Sequence, residues 1–144
     1  MNNKKDKLQK RYPNAIFPAP FAQIFDINFT KLEEGRAHAE VVVDKSWTNP
    51  FGIAHGGLLF SILDETLGSA ACSALDKVIY QDVKALSTTN HDIFFHSPAK
   101  PGDKLIIKAR VLSCRKNMLF VEGHIEQEDK TLVAESKGIW FIKR

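Results

Sequence analysis

The residues best placed to do chemistry in this chain lie in one stretch, NPFGIAHGGLLFSILDETLGSAACSAL, residues 49 to 75. His55, Gly56 and Gly57 stand directly before a run with helical periodicity, and Asp64 follows nine residues after the histidine. Glycine weakens a helix interior, so two of them at a helix entrance call for a compensating gain. A helix N-terminus presents backbone amides without intrahelical partners at the positive end of the dipole. Without a side chain at Gly56, a substrate carbonyl could reach its amide, which would then stabilise charge developing on the oxygen. Taken alone, a histidine before two glycines is an ordinary loop.

Asp64 adds weight to the catalytic alternative. It lies roughly 120° from the centre of the apolar stripe at about 100° per residue, on a flank that carries Ser61, Gly68 and Ala71. An arbitrary aspartate on a helix belongs to a solvated face. Small neighbours instead suggest that another chain or a substrate packs there, and a partly dried carboxylate suits a base or a nucleophile. Glu65, about 140° to the other side, fits the solvated face, so Asp64 is the preferred acid.

These groups must be held by a scaffold that the pattern outlines. From Gly57 to Leu75 the residues Leu59, Ile62, Leu63, Thr66, Leu67, Ala70 and Ala74 fall on one stripe, which predicts a single long helix. AQIFDINFT and, after the turn EEGR, AHAEVVV alternate partly and read as a strand pair. Downstream, KALSTTNHDIFFHSP, DKLIIKARVLSCRK, MLFVEGHIEQED and TLVAESKGIWFIKR read as four strands, with turns at AKPGD, KN and EDK. Short turns make consecutive strands antiparallel. The predicted architecture is therefore α+β, a six-stranded antiparallel sheet wrapped around one central helix. Residues 1–20, with three prolines in YPNAIFPAP, read as a tail and connector, and residues 21–144 as the one domain.

Composition narrows the function classes. A chain of 144 residues with 44% hydrophobic and 26% charged residues is an ordinary globular domain. The net charge of +3 gathers largely in NNKKDKLQKR, a solvated basic end more than a nucleic-acid arm. No run approaches the roughly 18 apolar residues of a membrane span and no signal-peptide core is present, so the expectation is a cytoplasmic protein bound to neither nucleic acid nor membrane. Cys72 and Cys114 form no CxxC pair and are expected reduced in the interior. HExxH, GxGxxG and GxxxxGK[ST] are absent, so no metal and no dinucleotide or P-loop cofactor is expected. His38, His91, His96 and His124 read as fillers on strands.

NPFGIAHGG, the aspartate that follows, and SPAKPGD before a long strand together resemble the hotdog-fold acyl-CoA thioesterases of the phenylacetate-pathway type, over residues 21–144. The resemblance implies a homodimer joined edge to edge, commonly paired again into a tetramer, with active sites shared between chains. It implies that the Gly56 amide polarises the thioester carbonyl and that Asp64 of the partner chain activates water or attacks directly. Asn49 and His55 would place the thioester or water, and Thr88 would assist from across the site. Thr89 faces the other way if the strand is regular, so a one-residue slip would exchange the two. Coenzyme A, here part of the substrate, needs cations for its phosphates, and Lys100, Arg115 and Lys116 are the candidates, although basic turn residues are usually solvated.

Two other functions compete. A non-catalytic acyl-CoA sensor or carrier could use the same fold, but Asp64 favours chemistry. A dehydratase would want its acid and histidine paired at the head of the helix, whereas here the histidine precedes the helix and the acid follows it. Phe51, Leu58, Phe60 and Phe94 could line an acyl tunnel, although aromatic residues in a small protein are core by default.

Overall fold

A proline that fixes φ favours the first turn of a helix, and the chain does enter a helix at Pro20. The computed structural model describes residues 6, 10, 15–75 and 83–144. Helix α1, Pro20–Ile24, has its proline in the first turn and buries Ala22. The first residues of AQIFDINFT are therefore helical, and strand β1 begins only at Asn28 (Asn28–Glu33). Most of residues 1–14, expected as tail, lie outside the described residues.

Strand β1 returns through Glu34 and Gly35, both at positive φ (50° and 77°), into β2, Arg36–Val42. Positive φ at both central residues is what a tight hairpin between twisted strands requires. A short 3-10 turn, Lys45–Trp47, leads to the long helix α2, Gly56–Ala74. Strands β3 (Ala85–Phe95), β4 (Lys104–Arg115), β5 (Met118–Gln127) and β6 (Leu132–Lys143) complete the chain. They form one six-stranded sheet in the order β1-β2-β4-β5-β6-β3, with every pair antiparallel. The predicted sheet around one helix is the observed architecture.

Alternation decides which face meets the helix. On β2, Ala37, Ala39 and Val41 are buried while Arg36, His38 and Glu40 point outward. Leu105, Ile107, Leu119, Val121, Ile125 and Ile142 from three other strands close over Ile62, Leu63 and Leu67 of α2. Each such side chain contributes roughly 1.5–3 kcal/mol on burial, so one apolar helix and one apolar sheet face hold each other in place. At the far end, the Gly35 amide donates to Ser73 Oγ at 3.0 Å, which ties the first hairpin to the last turn of α2.

Two expectations about the interior change. Cys72 is half-buried, and Cys114, the next-to-last residue of β4, is exposed. Phe51 and Phe94 are 87% and 65% exposed, and Phe60 is 38% exposed; of the four proposed acyl-contact residues only Leu58 is in the core.

Candidate active site

Four amides open α2, and three of them are occupied. His55 is the N-cap: its Nδ1 accepts from the Gly57 amide at 2.9 Å, and its carbonyl accepts from Leu58 and Leu59 at 2.9 and 3.2 Å. The Gly56 amide makes no hydrogen bond among the described residues. The two glycines thus have separate uses. A Cβ on Gly57 would stand 3.0 Å from His55 Nδ1, so the second glycine makes room for the capping ring. A Cβ on Gly56 would stand 3.3 Å from the ring tip of Phe95, so the first leaves its amide open beneath an apolar edge.

Asn49 braces the approach to this entrance. Its Oδ1 accepts from the Phe51 amide at 2.9 Å and from Ile53 at 3.4 Å, while its own amide donates to the Ile53 carbonyl at 2.8 Å. The side-chain oxygen thereby closes the loop 49–53. Lys100 belongs to the same end of the molecule, since Ala54 donates to the Ala99 carbonyl at 2.8 Å. Arg115 and Lys116 lie at the opposite end of β4, about 35 Å away along a strand. The three proposed phosphate ligands therefore do not meet within one chain.

Asp64 lies midway along α2, facing β3. Thr88 Oγ1 donates to its Oδ1 at 3.0 Å, and His91 Nδ1 stands 3.3 Å from the same oxygen. A β-bulge lets both reach it. Thr88 pairs with Trp140 and Asn90 with Ile139, so Thr89 is an extra residue, and Thr88 and His91, three apart in sequence, both turn toward the helix. In a regular strand they would point to opposite faces. Of the two threonines, Thr88 is the one whose hydroxyl reaches Asp64 within the chain.

His91, read from the sequence as filler, is a missed component of this cluster. Its side chain is 2% exposed, its ring lies 4.3 Å from that of Phe60 and 5.9 Å from that of Trp140, and Nε2 is 3.0 Å from Ser136 Oγ. The flank of small residues is also partly filled from within: a Cβ on Gly68 would stand 3.3 Å from Trp140 Nε1. Glu65 departs from the solvated role expected of it. It is half-buried, and that burial, reinforced by the neighbouring charge of Asp64, raises its pKa above the usual carboxylate range.

The open amide and the carboxylate are distant within a chain. Gly56 and Asp64 are eight residues apart on one helix, about 12 Å at 1.5 Å per residue. A groove of about 930 Å³ does open on the outer face of the sheet, lined by His38, Lys108, His124, Glu126 and others, but neither Gly56 nor Asp64 borders it. Among the described residues no cluster of three or more His, Cys, Asp or Glu side chains could hold a metal. No helix among them is long and apolar enough to cross a membrane.

This fold and this helix entrance define a class. Residues 51–134 match the model of the thioesterase superfamily, and the chain belongs to that family. A Saccharolobus solfataricus protein named "Putative esterase" is 32% identical over 127 residues, spanning 85% of this chain and 84% of its own. The Escherichia coli PaaI protein of the phenylacetic acid degradation operon superposes with a TM-score of 0.80 at 21% identity, covering 97% of this chain and 96% of that one. A Streptococcus mutans UA159 protein bound to acetyl CoA gives 0.73 at 22% identity, with 81% and 88% covered. The protein is a hotdog-fold thioester hydrolase.

Proposed function

We propose that the chain hydrolyses acyl-CoA thioesters to the free acid and coenzyme A, with an aromatic or medium- to long-chain acyl group. The observation that carries this is the open Gly56 amide at the head of α2, beneath Phe95. A thioester carbonyl oxygen there would accept from the amide, and the charge it gains on attack would be stabilised by that hydrogen bond and the helix dipole. Asp64 takes a proton from water as the water oxygen bonds to the carbonyl carbon, and the C–S bond then breaks to release the thiolate, which is reprotonated. Direct attack by Asp64, through an anhydride that water then opens, gives the same products. The acetyl CoA complex of the S. mutans relative supports this class of substrate.

Because Gly56 and Asp64 of one chain are too far apart, Asp64 serves the Gly56 of a second copy. β3 is an edge strand of the sheet and carries Phe94 and Phe95, 65% and 55% exposed. An unpaired edge bearing exposed phenylalanines is suited to join another copy of itself. Asn49 holds the loop before the entrance, His55 fixes the first turn, Thr88 holds Asp64, and Lys100, at the same end of the molecule, is the candidate for a phosphate.

Turnover on a panel of acyl-CoA esters tests this directly. Asp64→Asn should lower kcat by about 10²–10⁴-fold, the usual contribution of a general base, and wild-type rates in that variant would sink the assignment. A non-catalytic acyl-CoA sensor remains distinguishable: tight calorimetric binding with no thiol released by wild type would favour it.

A further inference from the structure

Catalysis as proposed gives Thr88 and Asp64 their roles but leaves unexplained why a histidine is buried against the same carboxylate oxygen. His91 Nδ1 is the one buried side-chain polar atom without a hydrogen bond among the described residues, although it lies 3.3 Å from Asp64 Oδ1. The contact is close enough for attraction but not aligned as a hydrogen bond. A buried polar atom left without a partner destabilises the fold, so this nitrogen needs a use.

Its chemistry follows from its neighbours. Ser136 Oγ, on β6, is 3.0 Å from Nε2 and is itself buried. If Nδ1 carried no proton, its lone pair would face a carboxylate oxygen, two acceptors in contact. With the proton on Nδ1, the ring donates toward Asp64, and Nε2 accepts from the Ser136 hydroxyl. Phe60 and Trp140 flank the ring, and the bulge at Thr89 turns it inward. Asp64 is 38% exposed at its side chain, so the carboxylate rather than the ring is free to adjust.

Resting on the catalytic role proposed for Asp64, we infer that His91 is its positioning residue, a Ser136-oriented imidazole whose Nδ1–H, with Thr88, holds Oδ1 and so aims Oδ2 at the water or carbonyl carbon. Among the described residues Oδ2 has no hydrogen bond. Small carboxylate rotation completes the His91 bond, and substrate binding would favour the aligned form by drying the site.

Two measurements on the full chain test the assignment. Long-range ¹H–¹⁵N imidazole spectra, with His91 identified by its loss in His91→Phe, should show the proton on Nδ1, and the Nδ1 signal should move in Asp64→Asn. In steady-state kinetics, His91→Phe keeps the ring volume but removes the donor. It should lower kcat by about 10²-fold, the scale of a misplaced catalytic group, with KM within about threefold. His91→Asn restores an N–H donor near the position of Nδ1 and should recover kcat to within about tenfold of wild type. A proton on Nε2 with Nδ1 bare, or wild-type kcat in His91→Phe, overturns the inference. Should His91→Phe fail to fold, the wild-type spectrum and His91→Asn decide. Wild-type turnover in Asp64→Asn would instead overturn the catalytic assignment itself, a different result from loss of activity in Asp64→Asn with none in His91→Phe.

Discussion

Adjacent carboxylates on α2 meet opposite circumstances. Asp64 has Thr88 and His91 against one oxygen, whereas Glu65 is half-buried with its pKa raised by burial and by Asp64. A carboxyl whose folded pKa is raised opposes folding once it ionises: the penalty is absent below the ordinary value of 4.5 and grows as pH rises above it. Glu65→Gln should therefore raise the thermal midpoint at pH 7 and not at pH 3.5, while turnover stays near wild type; a large loss of kcat would make Glu65 the base instead. At Gly56 the balance differs again. A Cβ there meets only the tip of the Phe95 ring at 3.3 Å, a side chain that is 55% exposed and able to move. Gly56→Ala should leave the thermal midpoint within a few degrees, yet lower kcat/KM by about 10²-fold by keeping the carbonyl from the amide. Equal activity in the alanine variant would remove the amide from the mechanism.

Strand pairing sets a second layer of energetics away from the site. On the outer face, Glu126 of β5 accepts from Lys108 of β4 and from Lys130 in the next turn. The Lys108 hydrogen bond, the largest cause, and the Lys130 contact hold its carboxyl at about 2, below the ordinary 4.5, although burial works the other way. Since the folded pKa is depressed, the stabilisation is complete above 4.5 and is lost as pH falls through about 2. Melting curves from pH 6 to 2 should show wild type more stable than Glu126→Gln at the upper end and the two converging at the lower; a constant gap would remove the carboxylate from the ledger of acid stability. The elements themselves were largely legible: the spacing of Leu59, Ile62, Leu63 and Leu67 announces α2, and Glu34-Gly35 announces the first hairpin. Less legible was α1, where the alternation of AQIFDINFT competes with the proline that starts a helix. The bulge in β3 has no local signature in Ser-Thr-Thr-Asn, because it exists only in register with β6, some 50 residues on. His91 was missed for the same reason, its partners Asp64 and Ser136 being brought to it by packing across the sheet and helix.

At the scale of the whole molecule, the proposed mechanism gives one chain two halves that it cannot itself join. The open amide of Gly56 and the carboxylate of Asp64 are about 12 Å apart along a rigid helix, too far for one carbonyl carbon. Two copies related by a two-fold axis would bring each half to the other's complement, forming two equivalent sites, as the symmetry of an isologous dimer requires. Light scattering should then give a dimer or a pair of dimers, and a monomer at micromolar concentration would contradict a shared site. Mixing offers the sharper test. Gly56→Ala and Asp64→Asn chains are each impaired alone. When they are co-refolded in equal amounts, about half the dimers pair one of each, and in each of those one site combines an intact Gly56 with an intact Asp64, while the other carries both lesions. Activity should therefore rise to about a quarter of wild type. A site built within one chain gives no such gain, because every site in the mixture then keeps one lesion. Complementation thus separates the two arrangements without requiring either variant to be fully inactive, provided the recovered activity exceeds the sum of the two parents.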